Sequence, residues 1–155
     1  MKKKSKKLVE ELEKVSEEHY EFLLFGWKLA EGLRNDIEIK RLKAYADWFF
    51  EQYILPHFNI EKEYVFPILG LENVRVKRAL ANHRRLKRLI KEEEDIYRSL
   101  NLIEEEIGRF IRFEERVLLK QIQEKATPEE LKKIETAHQE INSKTEEWED
   151  KFWES

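Results

Sequence analysis

Cysteine is absent from the 155 residues, which excludes disulfides, thiolate metal sites and cysteine nucleophiles. Four glycines and three prolines are too few to supply the turns of a sheet protein. No apolar run approaches the roughly 18 residues of a membrane span, so no membrane partner is expected. There is no phosphate-cradling glycine loop, no nucleophile elbow and no Ser-His-Asp order. The formal net charge of −3 argues against nucleic-acid binding by bulk charge. Five lysines stand among the first seven residues, but the amphipathic Leu8-Val9-Glu10-Glu11-Leu12-Glu13 follows them where a signal peptide would have an apolar core. A cytoplasmic location is therefore expected.

Apolar residues make up 41 % of the chain and charged residues another 41 %, a balance that suits amphipathic helices with solvated outer faces. The apolar positions recur at three- and four-residue steps almost throughout. A first helix carries Leu8, Leu12, Val15, His19, Phe22, Gly26, Leu29 and Leu33 and ends near Arg34-Asn35, with Asp36 expected to cap the second. The second carries Leu42, Ala46, Phe49/Phe50, Tyr53/Ile54, His57, Ile60/Glu61 and Tyr64. Pro56 should bend it by removing an amide donor, and Phe66-Pro67-Ile68-Leu69-Gly70 breaks its period. Asn73 is expected to cap a third helix through Val76, Ala79/Leu80, His83, Leu86 and Ile90. After Glu92-Glu93-Glu94-Asp95 a fourth carries Leu100, Ile103, Ile107, Phe110, Glu114, Val117 and Gln121. Thr127-Pro128-Glu129-Glu130 has the form of a capping box and starts a fifth, expected to run through Leu131, Ile134, His138, Ile141, Trp148 and Phe152. The expectation is an all-α protein: an up-down-up-down four-helix bundle over residues 1–125, with an additional C-terminal helix over 126–155 packed on it or extending it.

The inward stripe of a bundle should be apolar, because burying an unpaired polar group is costly. Each of the first four helices breaks that rule. His19 interrupts the first, His57 and Glu61 share one face of the second, His83 interrupts the third and Glu114 the fourth. A single histidine on an apolar face is most often a satisfied core residue. One such interruption on every helix is a different matter, since unpaired buried charge is strongly disfavoured. Imidazole and carboxylate donors brought inward from several helices are the ligand set of carboxylate-bridged iron or manganese, and a metal ion offsets the desolvation of two inward carboxylates.

These segments resemble the hemerythrin-like (HHE cation-binding) domains. Ser16-Glu17-Glu18-His19-Tyr20 is similar to the family's first-helix histidine element. Leu55-Pro56-His57-Phe58-Asn59-Ile60-Glu61-Lys62-Glu63 with Val65-Phe66-Pro67 is similar to its second-helix His-x-x-x-Glu. Asn82-His83-Arg84-Arg85-Leu86 is similar to the third-helix histidine, and Phe110-Ile111-Arg112-Phe113-Glu114-Glu115-Arg116-Val117-Leu118 to the fourth-helix element. The likeness spans roughly residues 12–122. It implies a four-helix bundle with carboxylate-bridged non-haem iron that binds or senses dioxygen, a related small ligand, or iron or redox status. Manganese and zinc are the alternative metals. Phe110 stands where the family's fourth-helix histidine belongs, and Ala79 stands one turn before His83. The implied centre is thus uneven. His19 and His57 with Glu61 and Glu114 serve one ion, while His83 and the shared carboxylates serve a weaker second position or none. An oxidase- or peroxidase-type enzyme on the same ligands, and a metal-free helical interaction module, are the rival readings.

Three features fall outside this set. His138 lies on the apolar side of the fifth helix and reads as a packing or polar-contact residue. Arg75, Lys77, Arg78, Arg84, Arg85, Lys87, Arg88 and Lys91 read as a solvated basic face rather than a patch for nucleic acid or an acidic partner. Trp148, Phe152 and Trp153 read as core or lid packing, with a homodimer or other protein contact as the alternative.

Overall fold

The computed structural model describes residues 8–142 and 147–154, without the side chains of 141 and 142; the first six lysine-rich positions and Met1, and Ile141 on the fifth stripe, lie outside that description. The described residues are helical with no strand. Helix α1 spans Glu10–Arg34. Helix α2 covers 39–69 without interruption, α-helical over Ile39–Phe49, Leu55–Ile60 and Phe66–Leu69 and π-helical over Phe50–Ile54 and Glu61–Val65. Helix α3 spans Val74–Ile90. Helix α4 covers 96–125, with a π-helical segment at Glu114–Leu118 between Ile96–Phe113 and Leu119–Lys125. Helix α5 spans Pro128–Asn142, and a short 3-10 turn spans Phe152–Glu154. None of these helices is long and apolar enough to cross a membrane.

Local chemistry explains most of these boundaries. Asn73 caps α3 by accepting from the amides of Arg75 and Val76, and Asp95 caps α4 by accepting from Arg98. The capping box at α5 closes in both directions: the Thr127 amide donates to Glu130 Oε1 at 2.9 Å, and the Glu130 amide donates to Thr127 Oγ1 at 3.1 Å. Asp36 does not cap α2. It adopts a left-handed φ of 53° in the turn, and α2 starts at Ile39 after an uncapped Glu38. Nor does α2 break at Phe66. The π turn before it takes up one extra residue, so the helix continues to Leu69 and stops at Gly70, whose φ of 91° suits glycine. Pro56 follows the other π turn, and the helix continues through it although it has no amide to donate.

Contacts between helices are carried by matched residue pairs. Along α1 and α4 the Val9 amide donates to Gln123 Oε1 at 2.6 Å, Ser16 Oγ donates to Glu115 Oε2 at 2.9 Å, and Gly26 lies against Glu104, so the two run in opposite directions. Along α1 and α2 Phe25 stacks on Phe49 at 4.3 Å between centroids and Gly32 faces Leu42, again in opposite directions. Arg85 pairs with Glu106 at 3.1 Å and Arg78 lies over Phe113, joining α3 to α4. Helix α5 packs on both α1 and α2. The basic residues Arg75, Lys77, Arg78, Arg84, Arg85 and Arg88 are exposed.

The C-terminal aromatics do not continue α5 as a helix. Residues 147–151 are irregular, Trp148 packs on Trp48 and Tyr45, and Phe152 is buried with its ring edge-on to Tyr45 at 5.4 Å. Burial of these rings on α1 and α2 outweighs the helical propensity of the segment. Gly32 makes room for Phe152: a Cβ there would fall within the Leu42 side chain and 2.9 Å from Phe152 Cε1. The variant Gly32→Ala is therefore expected to lose ~1–3 kcal/mol of stability by overpacking, although alanine elsewhere in a helix gains ~1 kcal/mol over glycine. Denaturant unfolding of the variant checks this, and a gain would show that the ring is free to withdraw.

Candidate metal centre

Four helices converge through fully buried donors. His19 is 1 % exposed, His57 0 %, Glu61 1 %, His83 2 % and Glu114 0 %. The two carboxylates come from equivalent places, since Glu61 and Glu114 each begin a π-helical turn of α2 and α4. Such a turn admits an extra residue, and neighbours that a regular helix would place on different faces are both buried after it: Val65 with Phe66, and Leu118 with Leu119. His57 lies one turn before Glu61 across the α-helical segment Leu55–Ile60.

Glu114 is the common member of two donor groups. One ligand atom each from His19, His57 and Glu114 lie within 4.8 Å of one another, and so do those of Glu61, His83 and Glu114. His19 Nε2 is 2.8 Å from Glu114 Oε2; His57 Nε2 and His83 Nε2 are 3.3 Å and 3.2 Å from Glu61 Oε1. These approaches are close but off the line of a hydrogen bond. Among the described residues, His19 Nε2, His57 Nε2, His83 Nε2, Glu61 Oε1 and both oxygens of Glu114 have no hydrogen-bond partner. Buried polar atoms are nearly always satisfied, so these six atoms, spread over two donor groups that share Glu114, call for a further partner. A cation meets that need, and the donor set fits a hard or borderline transition metal. All five residues singled out in the sequence are thus brought together.

Comparison with family models, with curated proteins and with solved structures finds no match.

The electrostatics favour protons where a metal ion could sit. Burial opposes charge on His19, but the carboxylates of Glu114 and Glu115 overcome it and push its pKa up to about 9. Burial and the neighbouring Glu114 push the carboxyl of Glu61 well up. Burial also raises Glu114, yet its contacts with Glu61 and His19 prevail and hold it down at about 2. Burial keeps His57 neutral, and brings His83 down to about 3. At neutral pH a proton on His19 occupies the cluster, and a bound cation has to displace it. Apparent metal affinity is expected to rise by about 10-fold per pH unit between pH 6 and 8, because that proton leaves for each ion bound. The rise should flatten as pH passes through about 9, where His19 loses its proton unaided. Competition titrations with manganese(II) at several pH values check this, and a flat profile would show that this proton stays.

Three acidic or imidazole partners were not singled out as site residues. Glu115 Oε1 is 2.6 Å from His19 Nδ1. Glu18 Oε1 is 3.1 Å from His57 Nδ1, and Glu18 Oε2 also meets His138 Nδ1. Burial raises the Glu18 carboxyl, but hydrogen bonds from His138 and His57 hold it at about 2. Glu18 and Glu115 are the immediate neighbours of His19 and Glu114, and that adjacency is the signal that could have found them. His138 makes a polar contact, as its place on an apolar stripe suggests.

The His83 side of the cluster is aromatic. The ring of Phe58 stacks on His83 at 3.7 Å between centroids, and Phe110, 1 % exposed, meets it edge-on at 5.2 Å. Phe110 therefore occupies the flank where a histidine four residues before Glu114 could reach inward.

Proposed function

We propose that this is a hemerythrin-like, cytoplasmic metal protein in which α1 to α4 form an up-down-up-down bundle, α5 is added to it, and non-haem iron is held between the helices to bind or sense dioxygen or to report iron or redox status. The observation that carries this reading is the convergence of six unpartnered donor atoms from four helices on the Glu61–Glu114 pair. His19, His57, Glu61 and Glu114 would hold one ion, and His83 with the shared carboxylates would offer a second, poorer position. Iron held by few histidines with free positions supplies reversible interaction with dioxygen and one-electron redox change. The chain's own contribution is a dry setting. The rings of Phe22, Phe58 and Phe110 surround the imidazoles, exclude water and favour the neutral form of His57 and His83. Glu115 and Glu18 hold the outer nitrogens of His19 and His57, which directs each Nε2 inward.

Elemental analysis of protein purified without chelator tests the reading, followed by anaerobic iron(II) loading and exposure to dioxygen. Bound iron at about one per chain or more, with an absorption change on oxygenation, is expected. Steady turnover of peroxide would favour the enzyme instead. A second reading, a metal-free interaction module, draws on Phe110 and Ala79 in place of donors; an unchanged melting curve with iron, manganese and zinc would favour it.

A further inference from the structure

Glu18 and His19 are neighbours on α1, about 100° apart around the helix axis, so they serve different partners. His19 faces α4, while Glu18, only 6 % exposed, faces α2 and α5. An ionised carboxylate only accepts hydrogen bonds, so both imidazoles that meet Glu18 must donate from Nδ1. One oxygen takes His57 and the other takes His138, and the two rings lie edge to face with centroids 5.2 Å apart. The proton on Nδ1 leaves His57 Nε2 as a bare lone pair beside Glu61. His138 is also fully buried, and among the described residues its Nε2 has no partner and Glu18 is its one polar anchor. A histidine kept only for packing would be expected to have both nitrogens satisfied or to be replaced by an apolar residue.

We propose that Glu18 and His138 are positioning residues of the metal centre: a single carboxylate clamps the Nδ1 edges of His57 and His138, so α5 sets the orientation in which α2 presents its metal-binding nitrogen. This rests on the reading of the cluster as a metal site. Helix α5 thereby becomes part of the centre. Loss of either clamp member frees the His57 ring to rotate and admits the tautomer that carries its proton on Nε2. Outer partners of metal-bound histidines typically change metal affinity by about 10–100-fold.

The test compares wild type with Glu18→Gln, His138→Leu and His138→Asn, each titrated with cobalt(II) and with anaerobic iron(II), and each melted without metal. The expected result is about 10–100-fold weaker binding and an altered cobalt absorption spectrum for Glu18→Gln and His138→Leu. Metal per chain at saturation should be unchanged, and the metal-free melting temperature of His138→Leu should be at or above that of wild type. His138→Asn should recover affinity, because its amide donor lies close to the place of Nδ1. Variants that bind cobalt as wild type does would overturn the clamp and leave the metal reading intact. A lowered metal-free melting temperature with unaltered affinity would also overturn it, in favour of packing. Loss of one ion per chain from His138→Leu would make His138 a ligand and overturn its positioning role. Wild type that takes up no metal overturns both readings together.

Discussion

Replacing His57 with alanine is expected to abolish the rise in melting temperature that iron(II) gives the wild-type protein. An ion that binds the native bundle and not the unfolded chain stabilises by mass action, by about 2.7 kcal/mol at a hundredfold excess over the dissociation constant. For a chain of this size that corresponds to about 5–10 °C. His57 joins His19 and Glu114 in one donor group, and its Nε2 lies 3.3 Å from Glu61 Oε1. Glu61→Ala should have the same consequence by another route, since Glu61 lies between His57 and His83 and shares its second donor group with Glu114. The readout is the difference between loaded and metal-free melting within each variant. It is insensitive to whatever the substitution does to the metal-free fold. A full metal-dependent shift in both variants would remove these residues from the ligand set.

Phe110→His is expected to increase bound metal per chain. Phe110 lies one turn before Glu114 on α4, is buried, and has its ring edge-on to His83, so an imidazole in that place can add a nitrogen on the poorer side of the cluster. Phenylalanine offers no electron pair to a metal, so the His83 position has fewer protein donors than the His19–His57 position. Without metal the variant should be less stable by about 1–3 kcal/mol, because a buried ring is exchanged for a smaller polar one. Loading wild type and variant under identical anaerobic conditions and counting iron per chain decides the matter. Two tightly held ions in wild type with no gain in the variant would mean that another residue already completes the second position.

The two substitutions probe residues that were legible in different ways. His19, His57, Glu61, His83 and Glu114 stand out in the sequence because a polar residue on an apolar stripe is anomalous wherever the helices pack, and the structure brings all five together. Glu18 and Glu115 do not stand out, because in a chain with 33 acidic residues a glutamate off the stripe reads as solvated. Their burial depends on a neighbouring helix. Glu18 is covered because α5 lies on α1 and α2 and brings His138 to it.

The sequence by itself determined that the chain is helical, where α3 and α5 start, and which residues break the inward stripes. Those features follow from short-range physics: three-to-four periodicity, Asn73 at the cap of α3, and the reciprocal hydrogen bonds of Thr127 with Glu130. Only the tertiary structure decided the π turns at Glu61 and Glu114, the uninterrupted passage of α2 through Phe66-Pro67, and the fold of Trp148 and Phe152 back onto Tyr45. Each of these gives up regular helical geometry to bury side chains that belong to other helices, and that gain exists only once the partners are in place.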